Sequence, residues 1–363
     1  MSAYDIAIIG AGMAGASLAA SLCDASAIPR VLLIEAEARP GYHATGRSAA
    51  FWTESYGGPG VVPLTIASGP DLQRLGVLKP RGALTIARAG QEAELEAFIA
   101  RYRGLGVGIE RVDRAALDER IPGLRAGWIG GALEESCADI DVATLHQHYL
   151  GAARRGGVEL VCSAELARAE RQGDGWRLVL ADGRKVAASL LVNAAGAWAD
   201  TVALAAGVTP IGIQPYRRTI AQVRVAPEPP LTLPLVLDMA ETFYFKPEGS
   251  RLWLSPHDET LSLPCDAAPE EIDVATAVAR LEEVVDWRTE RVEHRWAGLR
   301  SFAPDRLPVY GFDAREPRLF WFAGQGGFGI QTAPAAADLA ARLLRGEAAG
   351  EIDPAPYRPE RFG

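Results

Sequence analysis

Gly10, Gly12 and Gly15 stand at the spacing G-x-G-x-x-G in the run Gly10-Ala11-Gly12-Met13-Ala14-Gly15, and an acid, Glu35, follows in the next apolar segment. Glycines so spaced permit a tight turn, bring backbone close to a diphosphate, and let a helix lie tightly on a strand. A helix starting at that turn offers amide donors and the positive end of its dipole to phosphate oxygens. A carboxylate at Glu35, with Ala36 beside it, is placed to accept from ribose hydroxyls. The chemistry so implied is the holding of a dinucleotide; the competing reading is a tight turn in an unrelated fold.

The elements that must position these residues are legible around them. Tyr4 to Ile9 reads as a buried strand, an Ala/Ser/Leu helix runs to about Cys23, and Val31 to Glu35 reads as a second strand, which makes a βαβ unit. A second glycine-rich loop, Gly324 to Gly329, follows an apolar strand at Leu319 to Ala323 and precedes an Ala/Leu helix from Ala333 to Leu344. That helix supplies another dipole end, suited to the flavin pyrimidine, where negative charge accumulates on reduction. The pair of cradles therefore favours FAD over NAD. Leu191 to Trp198 carries an apolar strand into small residues, and its Ala194 and Gly196 are either a third contact near the diphosphate or an ordinary strand-end turn.

Between these landmarks the chain alternates. Arg39 to Pro63 reads as a long irregular stretch, Arg81 to Ala87 as a strand, and Glu92 to Arg103 as a helix, followed by a turn-rich region through Gly131. A helix is predicted from an Asp141 cap to Arg155. Val158 to Ala169, Trp176 to Leu180 and Val186 to Val192 read as a β-meander, with further strands at Ile220 to Val225 and Phe243 to Leu254 and a helix at Glu270 to Val285.

Composition narrows the function class. The 363 residues are 48% hydrophobic and 23% charged, as in a globular enzyme, and the formal net charge of -9 repels nucleic acid and anionic lipid. The 4 cysteines lack a C-x-x-C pair, and the 5 histidines lack metal-ligand spacing, so neither a disulfide frame nor a metal site is expected. Ile6 to Leu22 is apolar, yet Asp5 and the glycines oppose a signal peptide, and the run is too short and interrupted to cross a membrane. The expectation is a cytoplasmic protein, with peripheral association at the inner membrane left open.

Four motifs, Pro40 to Ala50, Leu191 to Trp198, Trp296 to Phe302 and Gln325 to Thr332, make the whole chain resemble the FAD-dependent D-amino acid oxidase superfamily, nearest its bacterial D-arginine dehydrogenase-like branch. The resemblance implies an α/β protein: a discontinuous Rossmann-like FAD-binding domain (1–80, 142–212 and 297–363) and an α+β substrate-binding domain on an antiparallel or mixed sheet (81–141 and 213–296). It adds Thr45, Gly46, Arg47, Ser48 and Ala49, with Gly326, Gly327, Phe328, Gly329, Ile330 and Gln331, to the flavin contacts.

The implied reaction is oxidative deamination of a D-amino acid, with a quinone-type electron acceptor. Such an enzyme must grip a carboxylate, which a planar guanidinium does with two hydrogen bonds. Arg300 is the stronger candidate and Arg218 the second; the alternatives are a structural ion pair and a solvated charge on a strand edge. The resemblance directs Tyr244 at the substrate carboxylate, makes Tyr56 a second active-site tyrosine on a mobile loop, and assigns Gly327 and Gln331 to the substrate amine and flavin; the competing reading of either tyrosine is a core aromatic. His43 reads as a hydrogen-bonded loop histidine before a base or a flavin attachment point. Ala83 stands where the cationic-substrate branch carries an acid, and Phe51 replaces a polar aromatic, so a neutral side chain is expected on the substrate. Competing readings are oxidation of a secondary amine or imino acid, use of dioxygen as acceptor, and a non-catalytic protein that binds FAD structurally.

Overall fold

In the computed structural model, residues 3–24 and 28–363 are described. Apolar runs with no polar face become strands buried on both sides. Ala3–Ile9, Val31–Ile34, Glu159–Val161, Lys185–Asn193 and Leu319–Ala323 form a parallel layer, with Ala3–Ile9 between Val31–Ile34 and Lys185–Asn193. Helices Met13–Leu22 and Ala333–Arg345 cover one face through Leu18, Leu22, Ala337 and Leu339, and Trp176, Leu178 and Trp321 fill the other.

A ten-stranded sheet forms the second layer. Its longest members, Gln214–Ala226 and Arg288–Phe302, pair antiparallel along nearly their full length. The strands Arg251–Ser255, Tyr244–Glu248, Leu235–Asp238, Ala83–Arg88 and Trp128–Glu134 continue from them in order. Alternation gives this sheet two characters. One face carries Leu84, Ala221, Val223 and Phe245 against helix Glu271–Val284. The other presents Arg218, Ile220, Tyr244 and Arg300 toward the first layer.

Several sequence expectations are corrected. The region predicted as turns up to Gly131 contains a strand, Glu110–Asp113, a helix, Arg114–Arg120, and the strand Trp128–Glu134. The segment predicted as one strand from Val158 splits: Glu159–Val161 joins the parallel layer beside Val31–Ile34, and only Leu166–Gln172 opens the meander. The strand Arg288–Phe302 runs unbroken through residue 297. Gln325–Gly326 pairs with that strand, so the second glycine loop hangs from the edge of the ten-stranded sheet. Among the described residues no helix is long and apolar enough to cross a membrane.

Candidate active site between the two sheets

A cavity of about 470 Å³ runs from the carboxyl ends of the parallel strands to the polar face of the ten-stranded sheet. Open α/β sheets bind ligands at that edge. Helix Met13–Leu22 points its N-terminus into it without a side-chain cap. Met13 N donates to Thr45 Oγ1 at 2.9 Å and Ala11 N to Glu35 Oε2 at 2.9 Å, which leaves the following amides of the first turn for a ligand. Gly10 has φ +99°, and a Cβ there would lie 2.5 Å from Ala194 O; a Cβ on Gly15 would lie 1.9 Å from Gly10 O. The turn is thus closed against the 194–196 turn, whose shape Asn193 fixes by donating to Ala199 O at 2.7 Å.

Gly10, Gly12, Met13, Ala14, Glu35, Ala36, Thr45, Arg47, Ser48, Ala49, Ala194, Gly196, Gly326, Gly327, Gly329 and Ile330 all line the cavity. Ala11, Gly15, Gly46, Phe328 and Gln331 do not, and each is occupied elsewhere. Ala11 is fully buried, Gly15 meets Gly10, and Gly46 N donates to Gly41 O. Phe328 packs against Tyr56 and Phe302. Gln331 is 2% exposed and its amide donates to Tyr56 O at 3.2 Å and Thr65 Oγ1 at 3.0 Å, so it braces the 53–56 loop. His43 bonds Glu37 at 2.9 Å and packs on Trp198.

The opposite end of the cavity is polar. Arg300 donates to Tyr56 Oη at 2.5 Å and, among the described residues, pairs with no carboxylate. Gly327 lies so close that a Cβ on it would stand 2.9 Å from the Arg300 guanidinium carbon. Arg218 is 4% exposed, which corrects the reading of a solvated charge. Its Nε donates to Asp258 O at 2.7 Å and its Nη2 reaches Glu259 at 3.4 Å, while its Nη1 is buried without a partner among the described residues. The Tyr244 hydroxyl, in a residue 1% exposed, likewise has no partner among the described residues. Burial, and then the charge of Arg300, hold the Arg218 guanidinium below its usual range. Burial, followed by the charges of Arg218, Arg300 and Arg280, pushes His257 down to about 2.

Sequence reasoning does not find His257, whose ring meets Tyr244 edge-on with centroids 5.8 Å apart, nor the Asp258 and Glu259 partners of Arg218. It also misses Glu134, buried at 1% exposure and paired across the strands with Ala83. No local pattern marks these residues, because distant strand pairing alone brings them to the site. Among the described residues, no cluster of three or more His, Cys, Asp or Glu could hold a metal ion.

A parallel α/β layer whose uncapped helix opens on a glycine turn, set against a sheet that presents guanidiniums, defines a dinucleotide-dependent oxidoreductase. The family model for FAD dependent oxidoreductases matches residues 5–343, and the chain belongs to that family. Its cofactor is FAD, and the cradle left by Gly10, Gly12 and the uncapped first turn fits the FAD diphosphate. The chain is 30% identical over 286 residues to glycine oxidase of Pseudomonas aeruginosa strain PAO1, covering 74% of this chain and 67% of the relative. It is 27% identical over 270 residues to the hydrogen cyanide synthase subunit HcnC of the same strain, covering 74% of this chain. The chain spans 63% of the length of that subunit, 59% of the HcnC of Pseudomonas protegens and 51% of an L-2-hydroxyglutarate dehydrogenase of Salmonella houtenae. The crystal structure of glycine oxidase from Geobacillus kaustophilus superposes with a TM-score of 0.86 at 23% identity, covering 99% of this chain and 98% of that one.

Proposed function

We propose that the chain oxidises a small D-amino acid with a neutral side chain to the imino acid, which hydrolyses to a keto acid and ammonia. One observation carries this reading: Arg300, Arg218 Nη1 and the Tyr244 hydroxyl turn toward one end of the cavity, and among the described residues two of them have no protein acceptor and Arg300 has no carboxylate. Buried donors without partners are costly, and a substrate carboxylate satisfies them together. Bound in the cavity, FAD supplies the acceptor for the electron pair that leaves with the Cα hydrogen. The residues contribute position: Arg300, steadied by Tyr56 and Gly327, fixes the carboxylate, and Tyr244 and Arg218 Nη1 fix its orientation. Two neighbouring guanidiniums also disfavour a substrate ammonium and so favour the reactive neutral amine.

The neutral side chain is supported by the acids that are already taken. Asp139 is held by Arg81 and by Lys246 Nζ at 2.7 Å, and Glu134 accepts from Glu54 N at 2.6 Å and Ser55 Oγ at 2.6 Å. Glu134, the cross-strand partner of Ala83, and Asp139 are thus committed within the protein and not left to a cationic substrate side chain. The resemblance of the sequence motifs supports the D configuration and a quinone-type acceptor. Anaerobic addition of a panel of D-, L- and N-methyl amino acids tests the whole reading by bleaching of the flavin. Bleaching by neutral D-amino acids ahead of D-arginine is expected; faster bleaching by D-arginine refutes the pocket argument, and bleaching by N-methyl substrates alone replaces the proposal with secondary-amine oxidation.

A further inference from the structure

We infer that Glu134 is a positioning residue for substrate binding: its buried carboxylate latches the 54–56 backbone so that the Tyr56 hydroxyl meets Arg300. The inference rests on the reading of the cavity end as a carboxylate grip. Glu134 ends the strand Trp128–Glu134 and is 1% exposed. An ionised carboxylate so deep needs several strong donors or a cation. Among the described residues no cation pairs with it; the nearby Arg81 and Lys246 are both spent on Asp139. Its donors come from the loop instead. Glu54 N reaches Oε1 at 2.6 Å, Ser55 N reaches Oε2 at 3.2 Å, and Ser55 Oγ reaches Oε2 at 2.6 Å, with Ser136 Oγ at 3.4 Å.

Successive amides converging on one anion fix backbone direction, because each bond constrains a different peptide plane. The next residue is Tyr56, whose hydroxyl receives Arg300 Nη1 at 2.5 Å. Gln331 braces the same segment from the other side through Tyr56 O and Thr53 N. Beyond Tyr56 the chain turns through Gly57 and Gly58, with φ of +101° and +84°, which add no side-chain anchors. Glu134 therefore holds the peptide next to the residue whose hydroxyl meets Arg300. Burial, and then the charge of Glu134, raise the neighbouring Glu54 carboxyl above its usual range.

Position 83 agrees with this role. Ala83 is the cross-strand partner of Glu134, and like charges directly opposite each other on a sheet repel. A small neutral residue there leaves the latch carboxylate to the loop.

The test is a thermodynamic cycle on the FAD-loaded enzyme, with benzoate, a carboxylate that carries no oxidisable amine, titrated against the flavin absorbance. Arg300→Met should abolish binding, Tyr56→Phe should weaken it about tenfold, and Glu134→Gln should weaken it about tenfold with flavin content unchanged. Combined with Tyr56→Phe, Glu134→Gln should add less than about twofold, since both act through one hydroxyl. Equal weakening in both backgrounds, or none in either, overturns the inference while leaving the carboxylate grip intact. Absence of benzoate binding, or binding indifferent to Arg300→Met, overturns the grip and the inference with it. Should Glu134→Gln not fold, Ser55→Ala removes one latch donor without touching the carboxylate, and the same cycle is read with the same two outcomes.

Discussion

Arg300 carries the largest expected effect of any side chain in the cavity, because among the described residues it is a cation with no protein anion beside it. Truncating one member of a buried, hydrogen-bonded charge pair costs about 2–5 kcal/mol, so Arg300→Met should raise KM about a hundredfold or more with flavin content unchanged. Tyr244→Phe removes one hydroxyl bond to a charge and should raise KM only about tenfold. Loss of flavin or of folding in Arg300→Met would instead make its role structural. His257 bears on stability. Its folded pKa is pushed down to about 2 from an ordinary value of 6.5, so between those values the unfolded chain binds the extra proton. Stability from this group therefore rises with pH through that window and is lost as pH falls below about 6.5. His257→Asn should shrink the drop in Tm between pH 7 and pH 5, though not abolish it, because burial also lowers His146. An unchanged drop would mean that the histidine is solvated and titrates normally.

Among the elements, the glycine turn between strand Ala3–Ile9 and helix Met13–Leu22 is the most sensitive to a single methyl group. A Cβ on Gly10 would combine φ +99° with a contact of 2.5 Å to the Ala194 carbonyl, which is backbone and cannot step aside. Gly10→Ala should therefore cut the flavin-to-protein absorbance ratio severely. Gly58→Ala is the matched control: φ is +84° but nothing lies within 4 Å, so a loss of about 1 kcal/mol of stability with full flavin is expected. Equal flavin loss in both variants would show that general instability, not closure of the cradle, is responsible. This turn is legible in sequence because its parts are local: glycine spacing, an apolar strand before it and an alanine-rich helix after it. The ten-stranded sheet is less so. Arg288–Phe302 begins Arg-Thr-Glu-Arg-Val-Glu-His-Arg, a charged run whose strand identity comes from pairing with Gln214–Ala226 and not from apolar alternation. Glu134 and His257 are invisible for the same reason, since only register puts Glu134 opposite Ala83 and the Arg251–Ser255 strand end beside Tyr244. Gln331 turns away from the cavity because a motif fixes a residue's place in the chain but not which neighbour claims its amide.

At the scale of the whole molecule, the cavity draws its wall from both sheets and from the start, middle and end of the chain: Gly10, Ala194 and Gly326 on one side, Arg218, Tyr244 and Arg300 on the other. Arg47 ties the layers where they meet, donating to Ala297 O at 3.3 Å and Ala267 O at 2.9 Å and pairing with Asp266. A ligand that binds only the folded state stabilises it by mass action, about 2.7 kcal/mol at a free concentration of 100 Kd. Because FAD would be held by turns of the parallel layer and by the glycine loop hung from the ten-stranded sheet, its binding should stabilise both layers together. Heating apoprotein with increasing FAD should therefore raise the Tm of one cooperative transition, seen alike by far-UV circular dichroism and by tryptophan fluorescence. Trp176 and Trp321 report the first layer, and Trp128, Trp253 and Trp296 the second. If the two probes separate, with FAD moving one transition and leaving the other where it was, the cofactor belongs to the parallel layer alone and the ten-stranded sheet is an independent folding unit.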